Sequence, residues 1–269
     1  MTTDSSAGGC DTHVHFYDDG YPVAPEATLR PLAAGVDDYA ALQTALQLER
    51  VVVVQPTTYG LDNQCQLDAM DRIGPAARGV MVVPATVDDT TLQDLTERGV
   101  RGARFHMLPG GALGWDHLEP LAARLTSFGW HVQLQLDGHQ LGARREQLLR
   151  LPCPLVIDHV GRFMGPVEPD STAFSALLDL VDAGAHVKLS APYESALDPT
   201  HKYEVIGRCV EALVARAPDR LLWASNWPHP GQTDPPSFLD LGRLRDQWLP
   251  GAATKRQVLV TNPADLYNF

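Results

Sequence analysis

The chain has 269 residues and a formal net charge of −12, which argues against nucleic acid and anionic membranes as partners but leaves open what an interior pocket binds. Cys10, Cys65, Cys153 and Cys209 show no C-x-x-C spacing and read as reduced thiols of a cytoplasmic protein. No apolar run is long enough for a membrane span. Residues 1–8 lack the basic start and apolar core of a signal peptide, so they are expected to be a disordered tail before a single domain, 9–269.

In chain order, short apolar and β-branched runs predict strands over 10–15, 50–55, 79–84, 101–106, 131–136, 154–159, 185–190 and 220–225. They read as nearly continuous apolar runs, which suits strands buried on both faces of a parallel sheet. Amphipathic stretches predict helices over 37–48, 62–74, 90–98, 116–127, 140–150, 172–183, 201–217 and 237–247. Asp37-Asp38, Thr90-Thr91, Asp170-Ser171 and Pro199-Thr200 supply start signals, and Gly129 and Pro218 supply stops. Eight alternations in one chain predict a closed (β/α)8 barrel, for which about 250 residues is typical. A doubly wound open sheet is the weaker alternative, because no Gly-x-Gly-x-x-Gly loop follows any strand.

A barrel of this kind carries its chemistry at the carboxyl ends of the strands. Here those ends hold His13 and His15; Gln55, with Thr57 to Tyr59 after it; Arg104 and His106; Gln135 and Asp137; Asp158, His159 and Arg162; Lys188 and Ser190; and Ser225-Asn226-Trp227-Pro228-His229. His13 and His15 stand at i and i+2, so both imidazoles share one face of a strand. His117, His131, His186 and His201 fall at helix starts or at the opposite strand ends and receive no role.

Three segments carry a resemblance: His13-x-His15, Val156-Ile157-Asp158-His159-x-Gly161-Arg162, and Trp223-Ala224-Ser225-Asn226-Trp227-Pro228-His229. Together they resemble the amidohydrolase superfamily, and within it the branch of pyrone-dicarboxylate lactonases and galactarolactone isomerases. The resemblance runs from about residue 9 to the end, with further local matches at Asp62-Asn63, Arg101-Gly102-x-Arg104-Phe105, Leu108-Pro109-Gly110-Gly111-Ala112 and Tyr193-Glu194-Ser195. Metal-dependent members ligate through two first-strand histidines, a fourth-strand lysine or glutamate, histidines on the fifth and sixth strands and an eighth-strand aspartate. This chain matches at His13, His15 and His159, which could hold zinc with water as fourth ligand. It departs at Arg104, which cannot ligate, at Gln135 and Asp137, and at Asn226 in place of aspartate. Arg104, Lys188 and Arg162 would crowd a metal, so the expectation is no cofactor, as the resemblance to the lactone branch also implies.

The cation- and imidazole-rich rim predicts a small anionic lactone as ligand. Arg104 and Lys188 are expected to hold a carboxylate or a developing oxyanion, or else to form ion pairs inside the barrel with Asp137 or Asp158. His13, His15 and His159 are expected to shuttle protons, and Asn226 to position the reacting group. His106, Tyr59, Asn63, Gln135, Arg162 and Tyr193 are expected to contact substrate. Three explanations compete for Asn226: an inactivating replacement, a histidine base, or a reaction whose nucleophile is the substrate's own hydroxyl. The loops after the fourth and seventh strands lack the arginines that the resemblance would require for a pyrone dicarboxylate, which favours a hydroxylated, singly anionic lactone. Metal-free hydrolysis stands first, and lactone-to-lactone isomerisation is the alternative. A metal-dependent hydrolase or decarboxylase and a non-catalytic metabolite-binding barrel stand behind them. A homodimer is compatible with the fold.

Overall fold

The computed structural model describes residues 8–195 and 203–269. Eight parallel strands form one sheet in sequential order: β1 (Cys10–Val14), β2 (Arg50–Val54), β3 (Ala77–Met81), β4 (Val100–His106), β5 (His131–Gln135), β6 (Leu155–Ile157), β7 (His186–Leu189) and β8 (Leu221–Trp223). The sheet curls until its edges meet. Thr12 Oγ1 donates to Trp223 O at 2.9 Å, His15 N to Trp227 O at 2.9 Å, and Asn226 N to His13 O at 3.1 Å. The expected (β/α)8 barrel is therefore the observed one, and the last contact already fixes the Asn226 backbone against the His13 strand.

Seven helices link the strands, α1 (Val36–Ala45), α2 (Gln64–Ile73), α3 (Asp89–Glu97), α4 (Leu118–Leu125), α5 (Leu141–Leu149), α6 (Thr172–Asp182) and α7 (Glu204–Arg216), and α8 (Phe238–Trp248) follows the last strand. Their caps follow elementary chemistry. Asp88 accepts from Thr91 N at 2.7 Å and Ser171 Oγ from Phe174 N at 3.3 Å, satisfying first-turn donors that lack an intrahelical partner. Thr91 is thus the donor to the cap of α3 rather than the cap itself. Gly129 stops the turn after α4 in the left-handed region, φ +68°. Pro199, Thr200 and His201 lie outside the described residues, as do residues 1–7 of the expected tail. Past α8 the chain adds α9 (Ala252–Arg256), a π-helical turn at Gln257–Thr261 and α10 (Asn262–Tyr267), none of which the apolar periodicity predicted.

The strands are less apolar than expected. Their outward side chains, such as Phe105, Val132, Leu134, Val187 and Leu189, pack under the helices in the main core. Inward positions are apolar at one end of the barrel, where Cys10, Val52, Val54, Val80, Val156 and Leu222 meet Tyr267 of α10. Elsewhere the interior is polar: Gln133 and Gln135 on β5, Arg104 on β4 and Lys188 on β7 are all buried. Period-two alternation set inside a buried strand produces this pattern.

Candidate active site

Six of the eight non-glycine residues with positive φ among those described sit just beyond β6, β7 and β8: His159, Val160, Arg162, Ala191, Asn226 and His229. Val160, β-branched at φ +54°, is a steric outlier. Left-handed backbone at side-chain-bearing residues costs energy and persists where surrounding structure enforces it, commonly at functional sites. Beside these turns opens a cavity of about 360 Å³, lined in part by His15, Arg104, His106, Gln135, His159, Arg162, Glu194 and Asn226. The loop after β4 closes one side. A Cβ on Gly111 would lie 1.8 Å from the His106 carbonyl oxygen, so the Leu108–Ala112 segment needs glycine there.

A register shift in β1 between Asp11 and Val14 sets up the first histidines. Asp11 faces α1, where its carboxyl accepts from Tyr39 OH (3.1 Å), Ser225 N (2.9 Å) and Ser225 Oγ (2.6 Å). His13, two residues on, faces the barrel interior. The bulge reverses the alternation, so one short strand both anchors the β8 end and supplies the imidazole pair. Burial raises the Asp11 carboxyl to about 6 against the lowering effect of its Ser225 bonds.

The imidazoles hydrogen-bond in a fixed direction. His15 Nδ1 lies 2.7 Å from Val54 O and so carries its proton. Burial, and next the Arg104 charge, depress His15 to about 3, so it is neutral and its Nε2 is a lone pair. His13 Nε2, 3.1 Å away, must then be the donor, which leaves His13 Nδ1 as an acceptor. Lys188 Nζ lies 3.3 Å from that nitrogen and also donates to Thr12 O and Gln133 Oε1, both at 2.6 Å. Three ammonium protons meet three acceptors. Burial lowers Lys188 to about 8 despite the favourable charge of Asp158, whose Oδ1 is 3.8 Å away.

His159 differs. Its Nδ1 pairs with Ser190 Oγ at 2.8 Å, its ring lines the cavity, and no hydrogen bond among the described residues engages its Nε2. Burial holds it well below the ordinary histidine value, so it is neutral. Arg104 donates to Gln55 O (2.7 Å) and Gln135 Oε1 (2.6 Å), and Gln135 also meets His106 Nδ1 at 3.2 Å. Arg162 is paired with Glu194 at 2.6 Å. Asn226 Nδ2 donates to Tyr193 OH at 3.0 Å, and Tyr193 OH pairs with His229 Nδ1 at 2.8 Å. Asn226 Oδ1 is buried without a hydrogen-bond partner among the described residues.

The structure therefore brings His15, His159, Asn226, Arg104, His106, Gln135 and Arg162 of the expected set to one cavity. His13 and Lys188 lie sealed behind it. Lys188 sits beside Asp158, as the ion-pair alternative for it foresaw, and not beside Asp137, which instead accepts from His139. Tyr59 and Asn63 do not line the cavity. The Tyr59 hydroxyl bonds the Asp18 backbone, and the Asn63 amide clamps Val82 from both sides. Tyr193 stands behind Asn226. Sequence reasoning missed Asp11 and Gln133, which no local pattern marks, and the 28–29 segment of the β1–α1 loop, which joins the rim only through folding. The expected surplus of positive charge is smaller than the rim composition implied, because Glu194 offsets Arg162 and Lys188 is out of reach.

His13, Asp158 and His159 bring potential metal-ligating atoms within 4.8 Å of one another and could hold a metal ion. The chemistry of the donor set opposes it. A metal on His13 Nε2 would force the ring proton onto Nδ1, against the Lys188 ammonium and the Gln133 amide, both donors, at 3.3 and 3.4 Å; Asp158 Oδ1 lies 3.4 Å from that nitrogen but makes no hydrogen bond with it. A metal on Nδ1 would have to displace Lys188.

Residues 10–269 match the family model described as amidohydrolase, and the chain belongs to that family. It is 32% identical to the D-galactarolactone isomerase of Agrobacterium fabrum (strain C58) over 97% of this chain and 91% of the relative. It is 33% identical to a 2-pyrone-4,6-dicarboxylate hydrolase of Comamonas testosteroni over 97% of this chain and 90% of the relative. An apo crystal structure from Agrobacterium tumefaciens, 32% identical, superimposes with a TM-score of 0.91 over 98% of this chain and 96% of that one.

Proposed function

We propose that this amidohydrolase-family enzyme rearranges or opens a small, singly anionic lactone of the sugar-acid type without a metal, and that intramolecular rearrangement is the better-supported of the two. One observation carries the reading: the cavity residue at the end of β8 is Asn226, whose buried Oδ1 has no hydrogen-bond partner while Tyr193 engages its Nδ2. An unpartnered buried acceptor is costly, and a ligand hydroxyl would satisfy it. An amide accepts a hydrogen bond but takes no proton, so it orients a nucleophile without generating hydroxide.

In this reading Arg104, aided by His106, holds the carboxylate or steadies the oxyanion. The substrate hydroxyl bonded to Asn226 Oδ1 attacks the lactone carbonyl, and His159 Nε2 takes its proton. The tetrahedral intermediate collapses with cleavage of the original ring C–O bond. The leaving oxygen recovers the proton from His159, so no water is consumed. His159 is a weak base because burial depresses it. An intramolecular hydroxyl, with an effective molarity of about 10⁵ M, compensates for that weakness. Hydrolysis is the second reading, supported by the availability of His159 Nε2 to a water.

The Arg162–Glu194 pair leaves Arg104 without a second free guanidinium beside it, which supports one carboxylate and several hydroxyls over a dicarboxylate. Four buried free thiols support a cytoplasmic setting, and no described helix is long and apolar enough to cross a membrane. The test is proton NMR of chelator-treated protein with galactaro-1,5-lactone against an enzyme-free control. Faster appearance of the 1,4-lactone supports rearrangement, and faster appearance of the open diacid supports hydrolysis. No acceleration refutes the assignment of this substrate.

A further inference from the structure

We propose that Lys188 is the residue that keeps the first-strand histidine pair from acting as a metal centre: its ammonium takes the cation's place in the His13–Asp158 cluster and fixes the tautomers of His13 and His15. This rests on the metal-free part of the reading above and is independent of which lactone the cavity accepts.

The argument is geometric. Lys188 is fully buried and its three ammonium protons have three acceptors: Thr12 O, Gln133 Oε1 and His13 Nδ1. It is also 3.8 Å from Asp158 Oδ1, which lies 3.4 Å from His13 Nδ1 yet makes no hydrogen bond among the described residues. Gln133 stitches the cluster together by accepting from Lys188 through Oε1 and donating to Asp158 Oδ2 through Nε2 at 3.1 Å. The positive charge therefore contacts two of the three groups that could gather round a metal ion.

The donation has a consequence along the chain. With His13 Nδ1 occupied, the single proton of neutral His13 sits on Nε2 and points at His15 Nε2, whose own proton points at Val54 O. The order Lys188 to His13 to His15 to Val54 is a run of hydrogen bonds with one polarity. Both Nε2 atoms, which a first-strand metal would need, are consumed by each other. His159 lies outside this run, hydrogen-bonded among the described residues to Ser190 alone, so of the three imidazoles it offers a nitrogen to the cavity. Lys188 is a positioning residue that makes His13 and His15 a neutral wall and reserves proton transfer for His159.

Removing the charge should open the metal site. Lys188→Met matches the side chain as far as Cε and deletes the ammonium. The chelator-stripped wild type and variant are each incubated with excess zinc, desalted and analysed for metal. The expected result is no retained zinc in the wild type and about one zinc per chain in the folded variant, through freed His13, Asp158 and His159. Stoichiometric zinc in the wild type overturns the inference, and so does a folded variant that retains none. If the variant does not fold, the wild type decides. Two-dimensional ¹⁵N–¹H spectra of histidine-labelled protein, assigned with His13→Gln and His15→Gln, should show His13 protonated on Nε2 and His15 on Nδ1. A His13 protonated on Nδ1 overturns the inference. Neither readout depends on lactone turnover, so failure of the substrate assignment and failure of this proposal are separable.

Discussion

Replacing Asn226 by aspartate is the sharpest perturbation of the proposed reaction, because it changes one atom's chemistry in a defined network. In the wild type, Asn226 donates to Tyr193, which pairs with His229 Nδ1. A carboxylate cannot donate, so Tyr193 must donate to the new carboxylate, and His229 then donates from Nδ1 to Tyr193. Burial depresses His229 to about 4, so it donates as the neutral Nδ1–H tautomer rather than by gaining charge. The chain of bonds survives and the variant should fold. Its chemistry should change. Unaided, an internal hydroxyl at about 10⁵ M outcompetes water at about 55 M by roughly 2,000-fold, or about 4.5 kcal/mol. A positioned carboxylate base contributes about 10²- to 10⁴-fold, enough to bring attack by water into the same range. Lactone rearrangement is reversible, whereas ring opening at neutral pH drains both lactones. N226D should therefore accumulate the open acid at least ~10-fold faster than wild type, followed by proton NMR from either lactone. A folded N226D that rearranges lactone at the wild-type rate with no gain in opening would refute the placement of Asn226 at the nucleophile.

Four further outcomes follow from the same geometry. Arg104→Lys replaces a fork by a point charge and should raise KM about 10- to 100-fold with a smaller change in kcat; an effect confined to kcat would contradict carboxylate binding by Arg104. Tyr193→Phe removes the anchor of the Asn226 amide, a buried bond worth about 1–3 kcal/mol, and should lower kcat about 10-fold or more while KM holds, whereas an unchanged kcat would show that the amide needs no anchor. Glu194→Gln releases Arg162 and should shift the Ki ratio of dicarboxylate to monocarboxylate competitive inhibitors about 10-fold toward the dicarboxylate, and an unchanged ratio would remove Glu194 from specificity. Acid should destabilise the fold. His13, His15, His106, His131 and His159 are depressed mainly by burial, so the unfolded chain takes up protons below about pH 6.5 that the native one refuses. Stability from these groups is present above the unfolded value and lost as pH falls toward the folded ones. Two of them alone would cost about 4 kcal/mol at pH 5. Asp11, raised to about 6, works the other way and favours the native state at low pH. Urea midpoints should nonetheless fall between pH 7.5 and 5, and a midpoint that rises would refute neutral burial of the histidines.

The barrel was legible because its two periodicities are local: an apolar run of strand length and an amphipathic run of helix length each announce themselves within a dozen residues. The rim was legible for a second reason, that closing eight parallel strands puts all their carboxyl ends together, so His15, Arg104, His159 and Asn226 could be assembled before any coordinate. What stayed hidden depends on depth and on pairing. Lys188 and Ser190 are two residues apart on the same inward face, yet Lys188 lies sealed behind the cavity wall while Ser190 reaches His159; strand period gives the face and not the layer. Glu194 and Arg162 are far apart in sequence, so their mutual neutralisation, and with it the true charge of the cavity, appears only on folding. Asp11 is the clearest case. Its carboxyl holds the β8 end from which Asn226 projects, but that Asp11 and His13, two residues apart, face opposite sides comes from a bulge in β1 that nothing in the Cys10–Phe16 run foretells. The residues that touch substrate in the proposed reaction were thus readable from position along strands, whereas those that orient them were not. Orientation is set by long-range hydrogen bonds between strands β1, β5, β7 and β8, and these are properties of the closed barrel rather than of any segment within it.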